Sequence, residues 1–401
     1  MRNKYRSGII AVLLFLSLLS ASCAEVLAIP SATPVVESVT MENGTNRLSY
    51  PQLSGLPDAA VQRRINDDIR LSAGITSHMI TFATLTPDSL WGLQVMYEAY
   101  VTDRVASFVI SAEGKMPNGR QGQSNTALCY DLFTGQRILP EQLFEEPAIA
   151  QEWLEEQALR TLGEEISDYE DSSMLLPLPM DTFSLDAYGI TFWYAPEQFR
   201  TISGRAGACR FDYSEIQHLL VRAQDAMPAE IGMLSTTLSQ AEQLEAVKQA
   251  VSEGKIQQLP VVLGTPMTEI VDAYGLTRTP DEFPGGRYFV MEHPLFRNIL
   301  LISDAMEAGY DHSVLQGIQL RRGDFCGLLI GQATQAEVQA LLGEANETMP
   351  ITENMAYDYG LTQGVCSLYH QNSTVLRFYF DENSVLTAVQ FESNGKDSAS
   401  W

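Results

Sequence analysis

The chain has 401 residues, 45% of them apolar, and carries 25 Lys+Arg against 50 Asp+Glu, a formal net charge of -25. This exceeds the roughly 100 to 200 residues of one domain, so two hydrophobic cores are expected. So acidic a surface repels nucleic acid and anionic polymers; it leaves basic proteins, cations and neutral glycans as compatible partners, or serves solubility alone.

Residues 1–22 read as an export signal. Arg2, Lys4 and Arg6 precede the uncharged run Gly8 to Ser20, which is shorter than the ~20 residues that span a bilayer. Two outcomes stay open at its end. Lipoprotein processing would fall before Cys23, with Ala21 and Ser22 ahead of it but Ser20 where an aliphatic residue is usual. Ordinary cleavage would follow the small-x-small pattern Ser22-Cys23-Ala24. In the first case a lipid on Cys23 is the membrane attachment, and in the second the protein is released. Without the three signal cations the net charge is about -28. Residues 23–48, with Pro30, Pro34 and little periodicity, are expected to be a flexible tether.

Between 49 and 222, helix and strand patterns are mixed, which predicts an α+β class. Val61, Ile65 and Ile69 recur at helical spacing behind Pro57-Asp58. Leu93, Val95, Tyr97, Ala99 and Val101 alternate on one face of a strand that turns at Asp103-Arg104 into a second, Val105 to Ser111. An acidic helix is expected from Pro147 to Ile166, with Ile149, Trp153, Leu159, Leu162 and Ile166 inward. A second hairpin, Phe183 to Tyr194, turns at Asp186 to Gly189.

These residues resemble a known family. Tyr50 to Leu56, Ile65-Asn66, Tyr130-Asp131, Thr134-Gly135, Leu143-Phe144, the aromatic hairpin Phe183 to Tyr194, Gly204 and Phe211 to Ile216 run in the order of the extracytoplasmic domain shared by RsiV-type anti-sigma factors and PdaC-type peptidoglycan deacetylases. The resemblance covers residues 49–222. It implies a small α+β ligand-binding or sensing module, in RsiV a lysozyme receptor, with the motif residues as turn and core positions. Only a few residues precede the apolar run and no deacetylase pattern follows, so neither parent activity carries over. The four cysteines beyond Cys23 are Cys129, Cys209, Cys326 and Cys366, read as buried thiols or as one pair per half. If a disulfide exists, the resemblance places Cys129 and Cys209 on strands of one module and implies that pairing.

Residues 223–256 are read as a connector whose helix carries Leu238, Ala241, Leu244, Val247 and Val251 and ends at Gly254. Residues 257–394 then contain an internal repeat, about 257–322 and 323–394. Gly264 to Gly275 matches Gly331 to Gly343, and Val314 to Leu320 matches Val385 to Phe391. Each copy reads as a capped helix followed by three or four strands, so the pair predicts one sheet with helices on one side. The pattern resembles the tandem repeats of β-lactamase inhibitory protein and of SmpA-type envelope lipoproteins, which implies a binding function.

Chemistry-bearing motifs are sparse. The five histidines are isolated, and no HExxH, CxxC, GxSxG, P-loop or EF-hand pattern is present. Ser252 to Lys255 fits SxxK, but Gly254 breaks the helix there and no KTG follows. His293 and His370 occupy similar places before the middle strands of the two repeats and form a candidate paired site, weighed against ordinary loop or edge histidines. The acidic run Ser167 to Asp171 is a candidate cation loop or a solvated one. The expectation is a non-catalytic, lipid-anchored envelope protein with no cofactor, binding a basic lysozyme-like protein or a neutral wall glycan. A wall hydrolase with carboxylates drawn from separated strands, or an assembly component, are the alternatives.

Overall fold

The computed structural model of the protein describes residues 34–86, 92–115, 121–162, 172–196, 198, 207–234, 238–256, 259–274, 281–283, 286–289, 293–296, 299–303, 313–353, 356, 361–371 and 374–393. Its class is α+β, with mixed helices and mostly antiparallel sheets. Among the described residues no helix is long and apolar enough to cross a membrane.

The first sheet has the order β1-β2-β3-β4-β5, formed by Val35–Asn43, Asn46–Ser54, Leu93–Val101, Val105–Lys115 and Gln121–Asp131. All pairings are antiparallel except β2 with β3. The hairpin β1-β2 corrects the expected tether, since order begins at least as early as Val35. The local signal for it is Gly44, at a φ of 60° in the two-residue loop Gly44-Thr45 between the facing Asn43 and Asn46. Helices α1 (Ala59–Ser72) and α2 (Ile75–Thr84) cover one face of this sheet. Asp58 caps α1 by accepting the Ala60 and Val61 N–H groups, and Val61, Ile65 and Ile69 are buried as their spacing requires. Asn66 holds the helix to β2 by donating to the Leu53 carbonyl and accepting the Leu53 N–H, each at 2.8 Å.

The other face receives a three-stranded sheet, β6 (Phe183–Leu185), β7 (Gly189–Trp193) and β8 (Ala208–Asp212), and helix α3 (Pro147–Leu162). The inward stripe of α3 differs from the expected one. Ala150, Leu154, Ala158 and Leu162 are buried, Trp153 and Leu159 pack at its edge, and Ile149 is 52% exposed. Two alanines in the i, i+4, i+8 series let the helix approach the sheet closely, an advantage that counting only large apolar residues overlooks. Ile166 lies outside the described residues.

The second module contains one eight-stranded sheet of order β15-β16-β17-β18-β12-β11-β10-β9. β9 to β12 are Asp281–Phe283, Gly286–Phe289, Ile299–Ser303 and Leu315–Leu320; β15 to β18 are Glu347–Ile351, Gly364–Gln371, Thr374–Asp381 and Leu386–Ser393. A two-residue ribbon, β13 (Asp324–Phe325) and β14 (Leu328–Leu329), lies between the halves in sequence. Helices α4 (Gln240–Glu253), α5 (Met267–Tyr274) and α6 (Gln335–Leu342) pack their buried residues on one face against Leu315, Ile318, Leu376, Phe378, Val389 and Phe391. Thus α4, expected as a connector, belongs to this core through Val247, Ala250 and Val251.

The duplication is explicit in the hydrogen bonds. Gly264 N–H donates to Leu315 O and Gly331 N–H to Leu386 O, both at 2.7 Å, and both glycines have a φ of 87°. The final strands of the two repeats pair antiparallel, with Gln319 opposite Gln390. These are equivalent positions of the two copies, so a local two-fold axis passes between them. Their buried side chains join at 3.1 Å, Gln319 Nε2 donating to Gln390 Oε1.

Candidate functional site

Five strands of the first module and three short segments of the second bound an open cleft of about 320 Å3. Its floor comes from the face of β3 and β4 turned away from α1 and α2, with Tyr100, Ser107 and Val109. One wall is the β6-β7 hairpin with Asp186, Tyr188 and Trp193, and the other is Lys255, Tyr274 and His293. The volume and the mix of aromatic and polar groups match a small-molecule or sugar-unit site.

The hairpin is built to hold Tyr188 in place. Asp186 Oδ1 accepts the N–H groups of Tyr188 (2.8 Å) and Gly189 (3.0 Å), and its carboxylate binds the buried Arg210 guanidinium. Gly189 is required by close approach, because a Cβ there would stand 2.6 Å from Arg210 Cζ and 2.7 Å from the Phe211 carbonyl oxygen. Tyr213 donates to the Asp186 carbonyl at 2.8 Å and secures the turn from below. Trp193 is fixed by its Nε1–H, which donates to Ser184 Oγ at 2.8 Å. Burial raises the Tyr100 and Tyr188 phenols above the usual range, with the Asp186 charge adding to it, and burial followed by the Glu98 charge does the same for Tyr274. All three stay protonated at neutral pH and can donate.

Behind the cleft the modules are joined by a charged seam. Arg322, on the turn after β12, reaches into the first module, where Nε donates to Glu215 Oε1 (2.6 Å), Nη2 to Glu215 Oε2 (3.0 Å) and Nη1 to Thr161 Oγ1 (3.2 Å). Its guanidinium also stacks over Phe211, 5.2 Å from the ring centre. Asp212 lies between Arg210, at 3.3 Å, and this pair. Burial pushes its carboxyl up to about 6, against the opposing pull of Arg210 and with a further push from Glu215. A carboxyl whose folded value is raised stabilises the fold fully below its unfolded value near 3.8 and loses that contribution as pH rises through about 6. Wild-type stability is therefore expected to fall between about pH 4 and pH 6 through this group, and Asp212→Asn, which keeps the local cap, should flatten that part of the profile. Urea midpoints at half-unit pH steps check this; an unchanged slope in the variant would remove Asp212 as its source.

The residues singled out in the sequence are dispersed. Cys23 and the run Ser167 to Asp171 lie outside the described residues. Cys129 on β5 and Cys209 on β8 are both buried and enter the same core. Cys129 sits against Ser107 and its thiol is raised by burial, so it is an inert packing group. Cys326 and Cys366 are also buried thiols, pushed up to about 12 by burial. His293 and His370 do not form a pair. His370 is exposed on β16, while His293 lies at the junction beyond β11, on the far side of β17, β18 and β12. His293 reaches the cleft instead. Its Nδ1 accepts the Leu295 N–H at 3.2 Å, which leaves Nε2–H to donate to Glu98 at 2.7 Å, and its ring packs edge-on to Tyr274. Ser252 is exposed and donates to the Gln249 carbonyl, so it makes no site with Lys255. Among the described residues no group of three or more His, Cys, Asp or Glu is placed to hold a metal ion.

Sequence reasoning missed Tyr100, Tyr188 and Lys255 as site residues. Tyr100 stands on the strand face opposite the one the alternation marked, and Tyr188 and Lys255 reach the cleft from different modules. Two of the motif residues serve as core and turn positions: Tyr130 is buried and donates to Asp68, and Gly135, at a φ of 68°, passes close to Val61.

No family model and no curated protein matches the chain. In structure it is similar, over part of its length, to a DUF3298 family member from Bacteroides fragilis, with 12% identity, 51% of this chain and 98% of that one covered and a TM-score of 0.35. It is similar likewise to a DUF3298 protein from Pseudomonas aeruginosa (10% identity, 47% and 94% covered, TM-score 0.30). A third neighbour is a DUF4309 protein from Bacillus subtilis (13% identity, 39% and 97% covered, TM-score 0.29). Both names denote domains of unknown function.

Proposed function

We propose that the protein is a non-catalytic binding or sensing component of the bacterial envelope, exported and held to the membrane by a lipid on Cys23, whose inter-module cleft takes a unit of wall glycan. The observation that carries this reading is the cleft itself, where aromatic rings and protonated phenols converge from two modules on a space of about 320 Å3. The two carboxylates that line it are both engaged: Asp186 by Arg210 and two turn N–H groups, and Glu98 by His293. A pair of carboxyls with one free to donate a proton, as glycoside hydrolysis needs, is not what these contacts favour. The net charge of -25 supports a second reading, a basic lysozyme-like protein as partner.

Calorimetric titration of the full chain tests both. Muramidase-released wall fragments are expected to bind, and Tyr188→Ala to weaken them about tenfold, the scale of one lost aromatic platform. Failure of the fragments to bind, or indifference to Tyr188→Ala, would sink the cleft reading. For the protein partner, lysozyme must bind better than cytochrome c, a control of similar basicity; equal binding would reduce the acidity to solubility.

A further inference from the structure

We propose that the cleft is selective for a sugar acid, a hydroxylated ring whose carboxylate is received by the Lys255 ammonium. This rests on the reading of the cleft as a glycan site and adds the class of sugar. The charges that line the cleft are the starting point. Glu98 is bound by His293, and Asp186 and Arg210 bind each other, so these four groups are mutually satisfied. Lys255 remains. Among the described residues no carboxylate lies within ion-pair distance of it, although the chain has twice as many acids as bases. A lysine left without a carboxylate beside a cleft, in so acidic a protein, is placed for a negative charge that comes from outside.

The backbone anchors Lys255 beside the cleft. Helix α4 ends at Gly254, in the left-handed region at a φ of 63°, and the Lys255 N–H donates to Ala250 O. Lys255 then pairs with Val262 in an isolated bridge, and the Leu263 N–H returns to the Gly254 carbonyl. The chain cannot swing away at this point without breaking both ends of that loop. The remaining polar groups suit hydroxyls. Among the described residues the phenols of Tyr100, Tyr188 and Tyr274 have no hydrogen-bond partner, and each can both donate and accept. A neutral sugar would leave the ammonium unanswered.

The test uses two matched pairs titrated into the full chain: glucuronate against glucose, and N-acetylmuramate against N-acetylglucosamine. Each pair shares a ring and differs chiefly in a carboxylate. Acid is expected to bind about tenfold more tightly than its neutral partner, the usual scale of one charge-assisted hydrogen bond. Lys255→Gln should remove that preference while Lys255→Arg keeps it, and 0.5 M salt should shrink it. Preference in only one pair identifies whether uronates or lactyl-ether wall sugars are the source. Equal binding within both pairs, or a preference that survives Lys255→Gln, overturns the acid selectivity and leaves the glycan cleft standing. No binding by any of the four sugars overturns both.

Discussion

Arg322→Ala is expected to lower stability by about 3 kcal/mol, and Arg322→Met with Glu215→Leu to recover most of that loss. The reasoning follows from what each variant leaves behind. Arg322 donates twice to Glu215 and once to Thr161, and both ionic side chains are largely shielded, at 23% and 18% exposure. Deleting the guanidinium strands a carboxylate beside Asp212, in a place where water is scarce and a second acid is close. Breaking a buried pair from one side costs about 3 to 5 kcal/mol, whereas replacing both partners by apolar groups is often neutral. The residual exposure places this case at the low end. Urea midpoints of wild type, both single variants and the double variant provide the cycle. If Arg322→Ala moves the midpoint no more than a surface lysine does, the seam does not hold the modules together.

Phe378→Ala should cost more, about 4 kcal/mol, by the cavity it leaves in the second core. The ring is fully buried and packs edge-on to Tyr369 at 5.6 Å and to Phe325 at 5.9 Å. Tyr369 belongs to the adjacent strand β16, and Phe325 comes from the ribbon that leads out of the first repeat. The two remaining rings are not expected to close the gap, because each is anchored on a different segment. Phe378→Leu keeps most of the volume and should lose less than half as much. Thermal unfolding of the two variants separates cavity cost from loss of the aromatic contacts; equal losses would mean that ring geometry, rather than volume, sets the penalty.

Local features were legible in the sequence where one residue type has one physical use. Asp58 ahead of Val61, Ile65 and Ile69 marks the start and the face of α1, and Gly254 marks the end of α4. The repeat could be read because Gly264 and Gly331 both need a left-handed turn, and because Val314 and Val385 begin strands of like pattern. What was not legible depends on pairing at long range. The parallel contact of β2 with β3 joins Arg47 to Gln94 and Leu48 to Val95, and no local pattern announces it. The cleft fails to show for the same reason. Tyr100 and Tyr188 are one another's neighbours across two sheets, and Lys255 arrives from a segment whose most visible feature was its helix stop. The hairpin turning at Gly44-Thr45 was a different case: its signal was local, but two prolines upstream made the stretch look unstructured.

The pairing of Gln319 with Gln390 places the same residue of two copies face to face, which is the contact rule of a homodimer built around a two-fold axis. One copy alone would end in a naked β12-type edge, and the surface that best completes such an edge is another copy of itself. Joining the copies in one chain replaces that concentration-dependent association by a fixed, very high effective concentration, so the sheet closes once and at one site. It also ends there. The outermost strands are poor seeds for further growth, since β9 has three residues including Asp281 and Glu282, and β15 carries Glu347 and Pro350. Fusion has thereby turned an interface that would otherwise form and dissociate with concentration into the centre of a single, finite sheet.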